Sequence, residues 1–448
     1  MTDMVFREAI ERDALDLLAL AARAAADTGQ DPLHGALQRD LGTLGNDYLA
    51  QERRLDMAAL ALRRAWLSAA HRPADASLKS PEDGEIARVP CGEGLQFGYE
   101  RDLDVSILED RGATYASPPA GWTGDMVIFR SGQAALASIL QLVAAAWGDK
   151  RTLSVAHAGA YFETTALLAA WPRRTFRPTP ASAVSADVVI GEPVWCDGCF
   201  GVTKRLPRAR HVLLLDTTMV GPSHDLCSCL AAAADDCEVA IAFSSGLKLD
   251  QAGLELANVG IARVLVRDGA QQRATGIASR LRQLRGLMAT GLTLDELSAL
   301  SAPWFLDRAY VDAYTTAIFA NNRLLAQSIG SESAVFGPHC HPSRSTPGAA
   351  APFCALQLRE ASPARYRRLA GIVEQQSEQR GLLLTNGGSF GFRGHRFELI
   401  EPAPGQGDPF LRIALGWRDG HSCRGLAELL GELADHKSFE ALDRAYGR

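Results

Sequence analysis

The stretch 240–253, AIAFSSGLKLDQAG, runs through the apolar residues Ala240 to Phe243, passes Ser244, Ser245 and Gly246, and delivers Lys248. A short apolar run that breaks off into small and polar residues reads as a buried strand opening into a loop. Residues 211–218, HVLLLDTT, have the same form and end on Asp216 and two threonines. Working outward, runs at 152–156, 187–190 and 259–266 repeat the pattern, alternating with helix-like segments from about residue 125 onward. That alternation predicts an α/β fold, a mostly parallel sheet covered by helices. Three of the runs end in polar residues: GEP at 191–193, Asp216, and SSGLK at 244–248. Ligands of open α/β sheets bind beyond the carboxyl ends of the strands, so these endings point to one shared site.

The rest of the chain divides around this core. Residues 5 to about 70 place apolar side chains at helical spacing, as in Leu55, Ala58, Leu62 and Trp66, until Pro73 and the polar stretch that follows break the pattern. After about residue 270 the helices lengthen, and the Gly/Pro/Ser-rich stretch 337–352 leads into a second α+β segment. The expected division is a helical N-terminal extension over 1–90, a large domain over 91–330 and a smaller C-terminal α+β domain over 331–448.

Composition narrows the function. The chain has 448 residues, 47% of them hydrophobic and 22% charged, with a formal net charge of −6. A negative balance gives no electrostatic footprint for nucleic acid or an anionic membrane. No apolar run approaches the ~20 residues of a membrane span, and the acids among the first residues are unlike a signal peptide. The expectation is a cytoplasmic protein acting on a small molecule. Nine cysteines, an odd number scattered through the chain, do not form a disulfide framework. Cys196 and Cys199 form a CxxC, followed by Cys227 and Cys229, but the CxC spacing fits a zinc knuckle poorly, and no metal is expected.

Three elements carry chemistry. Ser131 and Gly132 precede the helical run 133–146; small residues at a helix start present free N–H groups to a phosphate, or serve simply as an N-cap. Asp216, ending a buried strand, could hold a heteroaromatic N–H protonated, or cap a turn. Lys248 has apolar and glycine-rich flanks in a chain where lysine is scarce, which favours an amine nucleophile over a solvated surface group.

Their order, with Tyr161 between the first and the second, is that of the fold-type I pyridoxal 5′-phosphate enzymes, and over about residues 95 to 435 the chain resembles the cystathionine γ-synthase/γ-lyase family. FGYERDLDVSILEDR at 97–111 is similar to that family's YxRxxNPT segment, which implies that Tyr99 and Arg101 clamp a neighbouring subunit's cofactor phosphate. FRSGQAA at 129–135 resembles SSGMAA, placing Ser131 and the backbone of Gly132 and Gln133 at the phosphate. HAGAYFETT at 157–165 resembles DLYGGT, with Tyr161 stacked on the cofactor ring and catalytic. VLLLDTT at 212–218 resembles VVVDNT, giving Asp216 the ring nitrogen and Thr218 a place beside it. FSSGLKLDQAG at 243–253 resembles HSATKYLGG, giving Ser245 a phosphate contact and Lys248 the Schiff base. GGSFG at 387–391 and LRIALGW at 411–417 resemble SLGGVE and RLSVGLE, which makes Ser389 and Arg412 the substrate-carboxylate site.

The resemblance implies γ-elimination or γ-replacement on an amino acid with a γ leaving group, by a homodimer or homotetramer. Departures point away from cystathionine itself and toward a specialised biosynthetic substrate. In GEPVWCDG the ring-contacting asparagine of the family's ETPTNP is replaced near Trp195 and Cys196, Leu247 and Leu249 flank the lysine, and DQAGLELAN replaces a glycine- and histidine-rich loop. A β-lyase on a cysteine-type substrate, an aminotransferase, and a scaffold that has lost catalysis are the other readings.

Overall fold

The computed structural model describes residues 2–28, 35–36, 38–39, 47–80, 86–148, 151–159, 161–193, 206–233, 237–269, 271–401 and 409–446. Two short strands, β1 (Ile86–Arg88) and β2 (Gly94–Gln96), pair as a hairpin. The central sheet follows: β3 (Trp122–Phe129), β4 (Leu153–Ala158), β5 (Phe176–Thr179), β6 (Ser185–Gly191), β7 (Arg208–Asp216), β8 (Val239–Ser245) and β9 (Gly260–Arg267). Its order is β3-β9-β8-β7-β6-β4-β5. The pairs β7–β8, β6–β7, β4–β6 and β4–β5 are parallel, while β9 runs antiparallel to both its neighbours. The sheet is thus mostly parallel, with one reversed strand that periodicity could not reveal.

Helices cover both faces, which is why Val212 to Leu215 of β7 are all fully buried and read as a continuous apolar run. The helix Gly132–Trp147 lays Leu136, Ile139 and Val143 on Val127, Ile190 and Leu214, in a core completed by Ala274, Ala278 and Leu281 of the helix Gln271–Leu287. A second sheet, β10 (Cys354–Leu356), β11 (Thr385–Asn386), β12 (Arg396–Ile400) and β13 (Phe410–Ala414), has the order β10-β13-β12-β11. It packs with the helices Arg308–Ser328, Pro363–Gln379 and His421–Ala434 around Phe397, Ile413 and Leu426.

The N-terminal helices Thr2–Thr28 and Tyr48–Ala76 share one core with residues 292–311, where Trp66 meets Trp304 at 5.4 Å and donates its indole N–H to Ala299 O at 2.8 Å. Pro73 does not end the second helix, as its sequence position suggests; it lies in the last turn and the helix stops at Ala76, where Ser77 turns its hydroxyl back to Pro73 O. Asp13 is the main electrostatic tie. Its buried carboxylate accepts from Arg393 and, at 2.7 Å, from Arg418 Nε, while Arg393 also reaches Asp16 and Arg418 reaches Asp56. No helix among the described residues is long and apolar enough to cross a membrane.

Candidate active site

β4, β6, β7 and β8 are adjacent and parallel, so their carboxyl ends bring Ala158, Glu192, Asp216 and Ser245 to one edge of the sheet. Asp216 is the last residue of β7, and its Oδ1 accepts the Thr218 N–H at 2.9 Å. Thr218 Oγ1 in turn accepts the Ser245 N–H at 3.0 Å, linking the ends of β7 and β8. Burial, with Glu192 nearby, pushes the Asp216 carboxyl up to about 6, so at pH 7 it is still mostly an anion.

Ser131 is the N-cap of the helix Gly132–Trp147, accepting the Ala134 N–H at 3.1 Å. Its hydroxyl therefore serves the helix, while the N–H groups of Gly132 and Gln133 belong to the first turn, which has no intrahelical acceptors. A Cβ on Gly132 would lie 3.2 Å from the Ser245 N. Glycine eases this close approach of the helix start to the end of β8, which brings the positive end of the helix dipole beside Ser245.

Lys248 follows β8 by three residues and turns its amine toward the second sheet, donating to Ser389 Oγ and lying 5.4 Å from the Phe390 ring. Burial, then Arg412, draw its pKa below the ordinary lysine value. Ser389 has φ +74°, a left-handed conformation that costs a non-glycine residue ~1 kcal/mol or more and is held by its surroundings. The segment behind Lys248 is tied to itself by hydrogen bonds. Gln251 closes it, donating to Gly246 O at 3.0 Å and Ala257 O at 2.6 Å and accepting from the N–H groups of Leu256 and Ala257. Gly253, at φ +67°, packs where a Cβ would meet Tyr314 Oη at 2.2 Å and Arg393 N at 2.5 Å. Leu249 is buried with Tyr314, Ile318 and Trp417. The unusual residues after the lysine are thus a packed brace.

Tyr161 is 37% exposed at the rim. Its hydroxyl donates to Glu163 Oε2 at 2.6 Å and its N–H to Glu192 Oε1 at 3.0 Å, and burial with Glu163 pushes its phenol well above the usual tyrosine range. His157 Nε2 lies 3.4 Å from Glu192 Oε1. Glu163 is not singled out by the sequence because it lies in a helix beyond the strand ends, and His157, although it follows the apolar run 152–156 in β4, is not singled out because the run is read for its fold and not for its last residues.

Arg412 is not an arginine waiting open for an anion: its guanidinium pairs with Glu398, its direct cross-strand neighbour in the β12–β13 ladder, between the rings of Phe353 and Phe390. It nevertheless stands beside Lys248, whose amine feels its charge. Ser389 contacts Lys248. Tyr99 is 48% exposed, and the Arg101 guanidinium stacks 4.7 Å over its ring. Trp195, Cys196 and Cys199 lie outside the described residues. Among those described, no group of three His, Cys, Asp or Glu is placed to hold a metal.

No family model and no curated protein matches the chain. Solved structures do. A methionine γ-lyase from Micromonospora echinospora, CalE6, is 17% identical with TM-score 0.50, over 75% of this chain and 88% of that one. A cystathionine γ-lyase from yeast is 13% identical with TM-score 0.52, over 84% and 98%. The chain therefore has the fold of the γ-lyases, the fold-type I arrangement of pyridoxal-phosphate enzymes.

Proposed function

We propose that the chain is a pyridoxal 5′-phosphate enzyme that carries out γ-elimination or γ-replacement on an amino acid with a γ leaving group. The observation that carries this reading is the convergence of Lys248, Asp216 and the Gly132 helix start at the carboxyl edge of one sheet. The donor set fits the cofactor. The first-turn N–H groups of Gly132 and Gln133, with Ser245, suit a phosphate; Asp216 is an anion placed for a protonated ring nitrogen; Tyr161 supplies an aromatic face at the rim. Bound there, pyridoxal phosphate supplies an aldehyde that captures amines and a ring that draws electron density from a bond to Cα.

The chain's residues supply the rest. Lys248, with its pKa lowered, has more of its amine neutral at pH 7 and acts as the base for the substrate's Cα proton, with Ser389 Oγ orienting it. Arg412 takes the substrate carboxylate in its fork and so fixes which Cα bond faces the reaction. Tyr161 keeps its proton at neutral pH and acts as a donor. Loss of a γ group requires a second proton to leave from Cβ, and the Lys248 amine, once free of the first proton, is the base that would take it. The exposed Tyr99–Arg101 pair completes the phosphate site of a second copy, making the active unit a homodimer or a homotetramer built as a dimer of dimers. The braced loop behind Lys248 supports a specialised substrate.

Incubation with a panel of γ-substituted L-amino acids, read by mass spectrometry, tests the reading. Release of the γ group with a 2-oxo acid, or its exchange for an added nucleophile, is expected; transfer of the amino group alone, or release of a β group alone, would replace it with the aminotransferase or β-lyase reading.

A further inference from the structure

Arg412 and Glu398 face each other across β12 and β13 at the register Glu398↔Arg412, where cross-strand Cβ atoms stand about 5 Å apart. The pair is mostly shielded, with 15% of the arginine and 32% of the glutamate side chain exposed. The carboxylate also lies against the segment bearing Ser389: a Cβ on Gly388 would be 3.3 Å from Glu398 Oε1. The guanidinium assigned to the substrate carboxylate therefore already has a carboxylate. A second acid, Glu163, is held at the rim by the Tyr161 hydroxyl, and both Glu163 and Glu398 act on Lys248.

Charge decides what such a site accepts. If a substrate carboxylate takes Arg412, Glu398 is left half-buried without its cation, at a desolvation cost. Among the described residues, the cations nearest in the sheet and at the site are already engaged. Arg396, two residues earlier on β12, is engaged by Glu255 at 2.7 Å and by Gly388 O at 3.2 Å, and Lys248 is the reacting amine. A positive charge brought by the substrate itself restores the balance.

We propose that Glu398 is a specificity-determining residue that yields Arg412 to the substrate carboxylate and takes up a positive charge carried at or beyond the substrate's Cγ, so that the preferred substrate is an amino acid with a cationic side chain. An ammonium and a sulfonium share this chemistry. The inference deepens the function proposed above and rests on it for the role of Arg412.

The test is calorimetric binding of two matched pairs, S-methyl-L-methionine with L-methionine and L-lysine with L-norleucine, to the wild type and to Glu398→Gln. Each titration is run with and without pyridoxal phosphate, so a chain that takes up no cofactor still reports its preference, and failure of the cofactor reading shows separately as the lack of a visible absorbance band. The wild type should bind the cationic member of at least one pair tenfold or more tighter, and that pair names the cation. In Glu398→Gln the neutral member should tighten and the cationic one weaken, bringing the ratio within about threefold. Glu398→Asp, which keeps the charge, should retain the preference and guards against loss of folding in the glutamine variant. A wild type without preference, or a ratio unchanged by Glu398→Gln, overturns the proposal.

Discussion

Asp13→Ala probes the role of the N-terminal helices. In the wild type this carboxylate is 1% exposed and holds two guanidiniums, those of Arg393 and Arg418, which are 4% and 3% exposed. Removing one partner of a buried ion pair costs about 3–5 kcal/mol, because the remaining charge stays out of water without compensation. Here each arginine keeps a second acid, Arg393 through Asp16 at 2.7 Å and Arg418 through Asp56 at 2.9 Å. The loss should therefore fall at the lower end, about 3 kcal/mol, a large share of the ~5–15 kcal/mol by which folded domains are stable. The two arginines hold the Asp13 carboxyl below its ordinary 3.8, against the opposing effect of burial. A group with a depressed folded pKa stabilises fully above its unfolded value and loses that contribution as pH falls through the folded one. The gap between Asp13→Ala and wild type should then be constant near neutrality and narrow below about pH 3.8. Urea unfolding followed by circular dichroism measures it. A loss under about 1 kcal/mol at pH 7 would refute the reasoning. Because Arg393 packs against Gly253 in the brace behind Lys248, the variant should also bind cofactor more weakly.

Three further outcomes follow from the same structure. Arg412→Lys keeps a charge but loses the two-pronged fork, so kcat/KM should fall at least about a hundredfold, roughly 2.7 kcal/mol, with cofactor absorbance unchanged; near-normal steady-state kinetics would remove Arg412 from substrate binding. Arg101→Ala and Lys248→Ala should each be inactive as homo-oligomers yet regain activity when co-refolded, since a mixed dimer contains one site with both residues intact; no recovery would show that Arg101 serves its own chain or none. His395 accepts the Gly416 N–H at 2.9 Å through Nδ1, and burial pulls its pKa down to about 3. Its contribution is complete above the unfolded value of about 6.5 and drains away at up to ~1.4 kcal/mol per pH unit as pH falls toward 3. His341, drawn down to about 4, adds to this slope, so His395→Asn should flatten the acid limb of the stability curve without abolishing it.

The sheet was legible because β4, β6, β7 and β8 are buried on both faces and their sequences are nearly pure apolar runs. β3 escaped notice since Gly124 and Asp125 interrupt it, and β5 because FRPT is mostly polar. Lys248 and Asp216 were readable as strand endings, a feature of local sequence. Glu398 was not, since its importance comes from the register of β12 on β13, and neither was the Asp13–Arg393 tie between residues 380 positions apart. Pro73 is a poor marker of the helix end, because its missing N–H and fixed φ are tolerated in the last turn and the helix closes three residues later.

The central claim is that Lys248 holds pyridoxal phosphate. Titration of the purified chain with the cofactor, followed by borohydride reduction and mass spectrometry of the peptides, tests it directly. A visible absorbance band is expected in the wild type and a reduced adduct on Lys248 alone, with neither in a folded Lys248→Ala. An adduct on another lysine, or an unchanged band in Lys248→Ala, would contradict it.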